Sequence, residues 1–389
     1  MRPWGWWCAS SARSPKPDSA TFDIFAAHMP SVLFIASHRP DRSPGQRFRF
    51  EQYMGALEAD GWTCHHSHLV SPEDDRILYS KGNYLEKARF VRHCHRVRKA
   101  DVARMDDHDV IFIYREALMT RSIRYERLFR TSRARLIFDF DDSVWLPNVS
   151  DANRRWAWLK DAGKTSKLIG LCDLVFAGNA YLAEYARHYN TNTRIVPTTI
   201  DTEEYVPGPV RSGGPIVIGW SGSITTIQHF RYAIPALREL KARFGDRITF
   251  RVVGDGSYSE PSLDIQGLPW RKSTELDDLR SMDIGIMPLP DDEWARGKCG
   301  LKGLQYMALG IPTLMSPVGV NSEIIQDGQD GFLASTTAEW VEKVARLVED
   351  ADLRLRMGKA ARRTVEERYS LKAWRGRYVN YYNELIGRR

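Results

Sequence analysis

One stretch gathers the residue types that hold an anion. Gly297 to Leu333 reads GKCGLKGLQYMALGIPTLMSPVGVNSEIIQDGQDGFL: a loop, a short helix, a buried strand, a second helix start and a closing turn. Gly297 and Gly300 flank Lys298 in a loop of little side-chain bulk. Apolar Leu301, Leu304 and Ala308 set one helical face, Gly310 stops the helix, and Pro312 begins an extended segment. A glycine-bearing loop with a lysine, feeding a helix start, offers free backbone N–H groups and the positive end of the helix dipole to a phosphate. The same pattern also fits a helix–strand unit of any α/β core with Lys298 merely solvated. The surrounding elements have to decide.

Other constellations carry weaker signals. IGWSGSITT (Ile218 to Thr226) is a strand and a small-residue turn. Gly222 there permits close backbone approach, and Ser221, Ser223 and Thr225 can donate to phosphate oxygens. An ordinary tight turn reads the same way. LIFDFDDSVW places Asp139, Asp141 and Asp142 after a strand. Two carboxylates so spaced can hold a divalent metal, or can pair internally with a cation such as Arg115. The motif also resembles the first motif of haloacid-dehalogenase-type phosphatases, with Asp139 as nucleophile and Asp141 as acid/base. That family needs a second acidic strand end, which GDGSYSE (Gly254 to Glu260) does not supply. Cys64, His65, His66 and His68 alternate across a strand, and no second cluster has metal-ligand spacing.

These loops need a frame, and 389 residues predict two domains rather than one core. Residues 1–28 read as a disordered extension, and Ser31 to Ser37 as the first buried strand. Strands and helices alternate to about residue 200, including a helix from Arg47 to Asp60, one from Asn83 to Met105 and one from Asp151 to Gly170. A linker composition follows in Val206 to Pro215. A second series then runs through PIVIGW, ITFRVVG, a short strand LDIQGL, a helix from Ser273 to Met282 and DIGIMPL. It ends in helices over Thr337 to Gly358 and Lys359 to Ile386. The expected architecture is α/β: two doubly wound, Rossmann-like domains, residues 29–206 and 207–370, facing across a cleft. A final helix over 371–389 would cross back to the first. Candidate loops then converge at strand C-termini, where open α/β sheets bind ligands.

Charge narrows the partner. The formal net charge is +7, yet Arg76 to Arg135 alone holds sixteen Lys/Arg against seven Asp/Glu. A local basic face suits an anionic surface, and a solvated helix face is the plainer alternative. No aromatic platform or motif for nucleic acid accompanies it. Five scattered cysteines without a CxxC pair argue for a reducing compartment. No run is long enough to span a membrane.

With QYMALGIPTLMSPVGVNSEII through DGQDGFL in view, the chain resembles the family-4 type of GT-B glycosyltransferases. RIVPTTIDTEEYVP is similar to that family's crossing into its second domain. DIGIMPLPDDEWARGKCGLKGLQYMALGIP, IGWSGS and FDFDDSVW resemble one bacterial branch. The resemblance covers roughly Pro30 onward. It implies retaining sugar transfer from a nucleotide-sugar to an acceptor hydroxyl, without a metal or cofactor. The acceptor would be a glycan or lipid-linked, at the cytoplasmic face of an anionic membrane. It also implies roles. The family's two glutamates, one for the sugar and one for the ribose, are replaced here by Gly297 and Gln305. The family's Arg and Lys pair for the diphosphate is missing near Ser221 to Gln228, which leaves Lys298 and Lys302 to take its place. Gly45 would let the first domain approach the diphosphate, with Arg47 adding charge and Gly300 and Leu301 opening the donor helix. Arg115, Glu116 and Asp142 fall on the acceptor side as catalytic candidates. The missing glutamates leave a second reading, a nucleotide-sugar-binding protein without catalysis.

Overall fold

The computed structural model describes residues 28–78, 83–146, 163–209, 211 and 213–388. The expected extension, all but its last residue, and the first part of the helix expected from Asp151 lie outside the described residues. What is described of that helix runs Gly163–Leu171.

Two six-stranded, all-parallel sheets face one another. The first contains β1 (Ser31–Ile35), β2 (Thr63–Ser67), β3 (Val110–Tyr114), β4 (Arg135–Phe140), β5 (Leu174–Ala177) and β6 (Thr193–Ile195), in the order β2-β1-β3-β4-β5-β6. The central strands are fully buried apolar runs, as strands covered on both faces must be. The second contains β7 (Ile216–Ser221), β8 (Ile248–Gly254), β11 (Leu268–Pro269), β12 (Ile284–Met287), β13 (Thr313–Met315) and β14 (Phe332–Leu333), in the order β11-β8-β7-β12-β13-β14. The expected strand LDIQGL is instead divided. Ile265–Gln266 (β10) pairs antiparallel with Ser259–Glu260 (β9), while β11 joins the main sheet beyond Gly267.

Two further departures have local causes. The helix expected from Arg47 begins as Pro44–Gln46, widens into a π-turn over Arg47–Glu51 and becomes α-helical over Gln52–Ala59. The wider turn buries Arg47, Phe48, Arg49 and Phe50 in succession. Such turns occur most often at functional sites. The C-terminal region forms three helices, Thr337–Glu349, Ala351–Arg368 and Leu371–Leu385, not two. Asp350 and Ser370 each accept a backbone N–H three residues on and so start a new helix.

The chain crosses between domains twice. Around Ile200 it bridges to Ser370, and the helix Leu371–Leu385 then lies against Gln52–Ala59 of the first domain. Tyr378 stacks on Tyr53 at 4.0 Å between ring centroids, and Trp62 Nε1 donates to Asn383 at 3.1 Å.

Candidate functional site

Loops from the carboxyl ends of β4 and β5 dock on the loop before Leu301. Asn179 Nδ2 donates to the carbonyls of Arg296 and Lys298 at 3.3 and 3.0 Å. Cys299 Sγ donates to the Asp141 carbonyl at 3.3 Å, and Ser143 Oγ to that of Glu293 at 3.2 Å. The fit is close because Gly297 has no side chain. A Cβ there would stand 2.0 Å from Ser143 Oγ and 2.9 Å from its backbone nitrogen. The acid expected at this position by family resemblance has no room in this arrangement.

Cations gather beside that contact. Lys298 Nζ meets Asp142 Oδ2 of the first domain at 2.7 Å and lies over the Trp294 ring. Lys302, one helical turn on, lies over Trp220 at 5.6 Å. Burial, then repulsion from Lys298, lowers its pKa to about 8, while Asp142 pulls the other way. Burial and the two lysines lower His229 to about 4, so its ring is neutral at pH 7. His229 is 6% exposed, and its Nδ1 has no hydrogen-bond partner. The ring lines a cavity of about 450 Å³ with Gln228, Arg231, Asp292, Trp294 and, from the first domain, Leu146. Two ammonium groups act on His229, whose Nδ1 has no hydrogen-bond partner among the described residues, while Asp292 and Glu293 also line the cavity.

The Lys302 shift predicts a pH dependence with opposite signs for binding and stability. Above about pH 8 the ammonium loses its proton, so affinity for an anion falls. The unfolded chain binds that proton up to about pH 10.4, so the group's contribution to stability rises over the same window. Lys302→Met should flatten both profiles. Titration calorimetry and urea melts from pH 7 to 10 read them.

A second polar cluster sits deeper. Arg47 Nη1 meets Glu275 Oε2 at 2.8 Å across the two domains, both side chains 6% exposed. Tyr205 Oη donates to Glu275 Oε2 at 3.0 Å, and Trp270 Nε1 to Oε1 at 3.1 Å. Gln305 Nε2 donates to Tyr205 Oη and Glu275 Oε1 at 3.1 and 3.2 Å. Arg47 is therefore bound to the second domain by its own acid, rather than standing as a free charge. Glu275 escapes sequence reasoning because an acid in a helix's first turn ordinarily serves the dipole. No spacing in the sequence links Glu275 to Tyr205, 70 residues away.

The remaining candidates are partnered internally. The Ser221 N–H donates to Tyr306 Oη at 2.6 Å and the two hydroxyls hydrogen-bond at 3.0 Å, so Ser221 anchors the strand end. The space at Gly222 is taken by the Trp220 ring, and the backbone of Gly254 packs against it. Ser223 closes a turn with Thr225 and Thr226. Gly45 faces Tyr114 and Asp141: a Cβ would stand 2.0 Å from the Tyr114 hydroxyl. Arg115, at φ 61°, grips Asp141 at 2.7 Å, and Glu116 takes Lys164 at 2.7 Å. Gly300, at φ 71°, is the left-handed residue that starts the helix Leu301–Ala308 and leaves space that Ile324 fills. Leu301 packs partly buried in the second domain's core. Asp139 is fully buried against Arg49, with Nε–Oδ2 at 3.1 Å, so it has no open face for a nucleophile's work. The geometry gives DFDDS a structural and docking part instead.

Comparison with known proteins bears on the fold and on the second domain. Residues 215–350 match the family described as glycosyl transferases group 1. A stretch of 89 residues is 30% identical to N-acetyl-alpha-D-glucosaminyl L-malate synthase of Bacillus anthracis, spanning 22% of this chain and 23% of that protein. Sucrose-phosphate synthase from Thermosynechococcus elongatus superposes with a TM-score of 0.66 at 13% identity, over 92% of this chain and 99% of its own. Anabaena Alr3699/HepE, solved with UDP and glucose, does so with a TM-score of 0.64 at 13% identity, over 91% and 100%. Likeness at that identity is a likeness of fold. The chain thus has the two-domain GT-B fold of glycosyltransferases, and its residues 215–350 match the glycosyl transferases group 1 family.

Proposed function

We propose that the protein is a glycosyltransferase that moves a sugar from a nucleotide-sugar donor to an acceptor hydroxyl. The observation that carries the reading is the cation pair Lys298 and Lys302 beside an interdomain cavity in a group 1 domain. In this reading the lysines hold the diphosphate and stabilise it as it leaves, the part a metal would otherwise play. Gln305, its amide nitrogen given to Tyr205 and Glu275, keeps Oε1 to accept from a ribose hydroxyl. The bond from the anomeric carbon to the phosphate oxygen breaks, and a bond to the acceptor oxygen forms on the same face. The acceptor's proton passes to the departing diphosphate, and configuration is retained. Arg115, Glu116 and Asp142 border the acceptor side, Arg115 and Glu116 through loops held by their own ion pairs.

A thermal-shift panel of UDP-, GDP- and ADP-sugars tests this. One base should stabilise the protein, by about 2.7 kcal/mol at a hundred times its Kd. Transfer should then proceed in EDTA. Stabilisation with neither transfer to an acceptor nor hydrolysis of the donor by water would leave the non-catalytic binder as the better reading. Lys302→Ala should weaken donor binding about 10- to 100-fold, the weight of a charge-assisted contact.

The acceptor in this proposal is a glycan or lipid-linked one at the inner face of an anionic membrane. On the helix Tyr84–Ala103, Leu85, Arg89, Arg92, Arg96 and Lys99 fall on one outward stripe, all exposed. Tyr84 and Leu85 are 73% and 79% exposed at its start. An apolar tip beside a basic stripe fits the boundary of an anionic bilayer. No helix among the described residues is long and apolar enough to cross a membrane. Binding to phosphatidylserine vesicles should fall steeply between 0.05 and about 0.5 M salt, and further in Arg89→Glu/Arg92→Glu. Salt-insensitive binding overturns the electrostatic account.

A further inference from the structure

Among the described residues, Asp142 is the carboxylate that meets Lys298, and Asp292 acts on the neighbouring His229. Asp142 Oδ2 takes Lys298 at 2.7 Å, and its Oδ1 accepts the Ser143 N–H at 3.1 Å. Both side chains of the pair are largely buried, 15% exposed for Lys298 and 14% for Asp142. Both lysines feel this carboxylate; Lys298 pairs with it directly, while Lys302 lies over the Trp220 ring and senses it at longer range. Among the described residues, the lysine pair has one direct carboxylate partner for two ammonium groups, and His229 Nδ1 has no hydrogen-bond partner. Asp142 sits on the first domain and Lys298 on the second, so the pair also spans the cleft.

We infer that Asp142 is an internal occupant of this anion site, displaced from Lys298 when a diphosphate enters. The inference rests on the donor reading above, and it gives that site its regulation. A diphosphate carries more charge than a carboxylate and presents oxygens to both lysines at once. Asp142 can reach only one of them in the arrangement seen. The uncharged contacts beside it keep the domains docked while the ion pair exchanges: Cys299 to the Asp141 carbonyl, Asn179 to two carbonyls, and Gly297 against Ser143. Before exchange, the carboxylate compensates Lys298, which would otherwise be a buried, unpaired charge. After exchange it is free on the acceptor side of the cleft. Empty and occupied sites thus differ in one bond across the domains, and donor affinity is set below what the lysines alone would give.

The test measures binding of UDP, GDP, ADP and inorganic pyrophosphate to wild type, Asp142→Asn, Lys298→Ala and the double variant by calorimetry. Removing the competitor should tighten binding about tenfold in Asp142→Asn, a coupling of ordinary size, while transfer from bound donor slows. Lys298→Ala should weaken binding, and Asp142→Asn should add nothing in its background. A merely structural Asp142 would weaken binding or leave it alone, which overturns the inference. Asp142→Ala serves as a second variant, with melting temperature as the folding control, and has the same expected sign. Nucleotide binding without tightening removes the exchange and leaves the donor reading. Tightening for pyrophosphate without any nucleotide binding does the reverse. If neither probe binds any version, both fall.

Discussion

Asp139→Ala should destabilise the first domain by about 3–5 kcal/mol, the cost of leaving one member of a buried ion pair alone. Arg49 is 1% exposed, and its guanidinium contacts both Asp139 oxygens and the Val196 carbonyl. The stacked Tyr53 and Tyr378 lie close by, so the loss extends to the docking of the C-terminal helix. Urea melts followed by fluorescence read the effect, fitted with a separate transition for each domain. Replacing both partners, Arg49→Met with Asp139→Leu, should recover most of it, since desolvation of two charges offsets their attraction. If the double variant were as unstable as Asp139→Ala, the loss would lie in packing around β4 and not in the orphaned charge. The outcome bears on function too, because it decides whether DFDDS is a scaffold with one exchangeable member, Asp142, or a reactive motif.

How much of this was legible in the sequence depends on how local the cause is. The parallel strands announce themselves as short apolar runs: VLFI, VIFIY and LIFDF are buried through and through because both faces are covered. The alternation of strands and helices put the loop of Lys298 at a cleft, whereas Lys302 entered only through the family resemblance. Three things did not follow. The π-turn at Arg47–Glu51 places Arg47 against Glu275 and Arg49 against Asp139, and no periodicity distinguishes it from an α-turn. The Glu275 cluster joins residues 47, 205, 275 and 305, and only tertiary packing brings them together. Gly222 reads as a door for phosphate but is closed by Trp220, two residues away in the chain. Each is a contact whose partner cannot be guessed from spacing.

Gly297→Glu should abolish transfer even though it restores an acid that resembling enzymes carry at this position. The Cβ alone would lie 2.0 Å from Ser143 Oγ and 2.9 Å from the Ser143 backbone. A serine hydroxyl can rotate away, but the backbone of a docked loop cannot. Relief must come from moving the Asp141–Ser143 loop off the second domain. That costs the Cys299 and Ser143 hydrogen bonds and separates Asp142 from Lys298. Overpacking of this kind costs about 1–3 kcal/mol. Because the strained contact lies between domains, the cleft can open instead of the core deforming. The expected signature is an activity loss of more than about a hundredfold, equivalent to about 2.8 kcal/mol, with nearly unchanged melting of each domain and a larger radius of gyration in solution scattering. Gly297→Ala isolates the steric part, and Ser143→Gly in the same chain should return much of the activity, a coupling that a double-mutant cycle measures. Full activity in Gly297→Glu would mean that the domains do not close on this contact during turnover. The glycine is the consequence of a neighbour: the first domain's serine occupies the space where an acid would stand, and in the proposed reaction the two lysines are the groups that meet the diphosphate's charge.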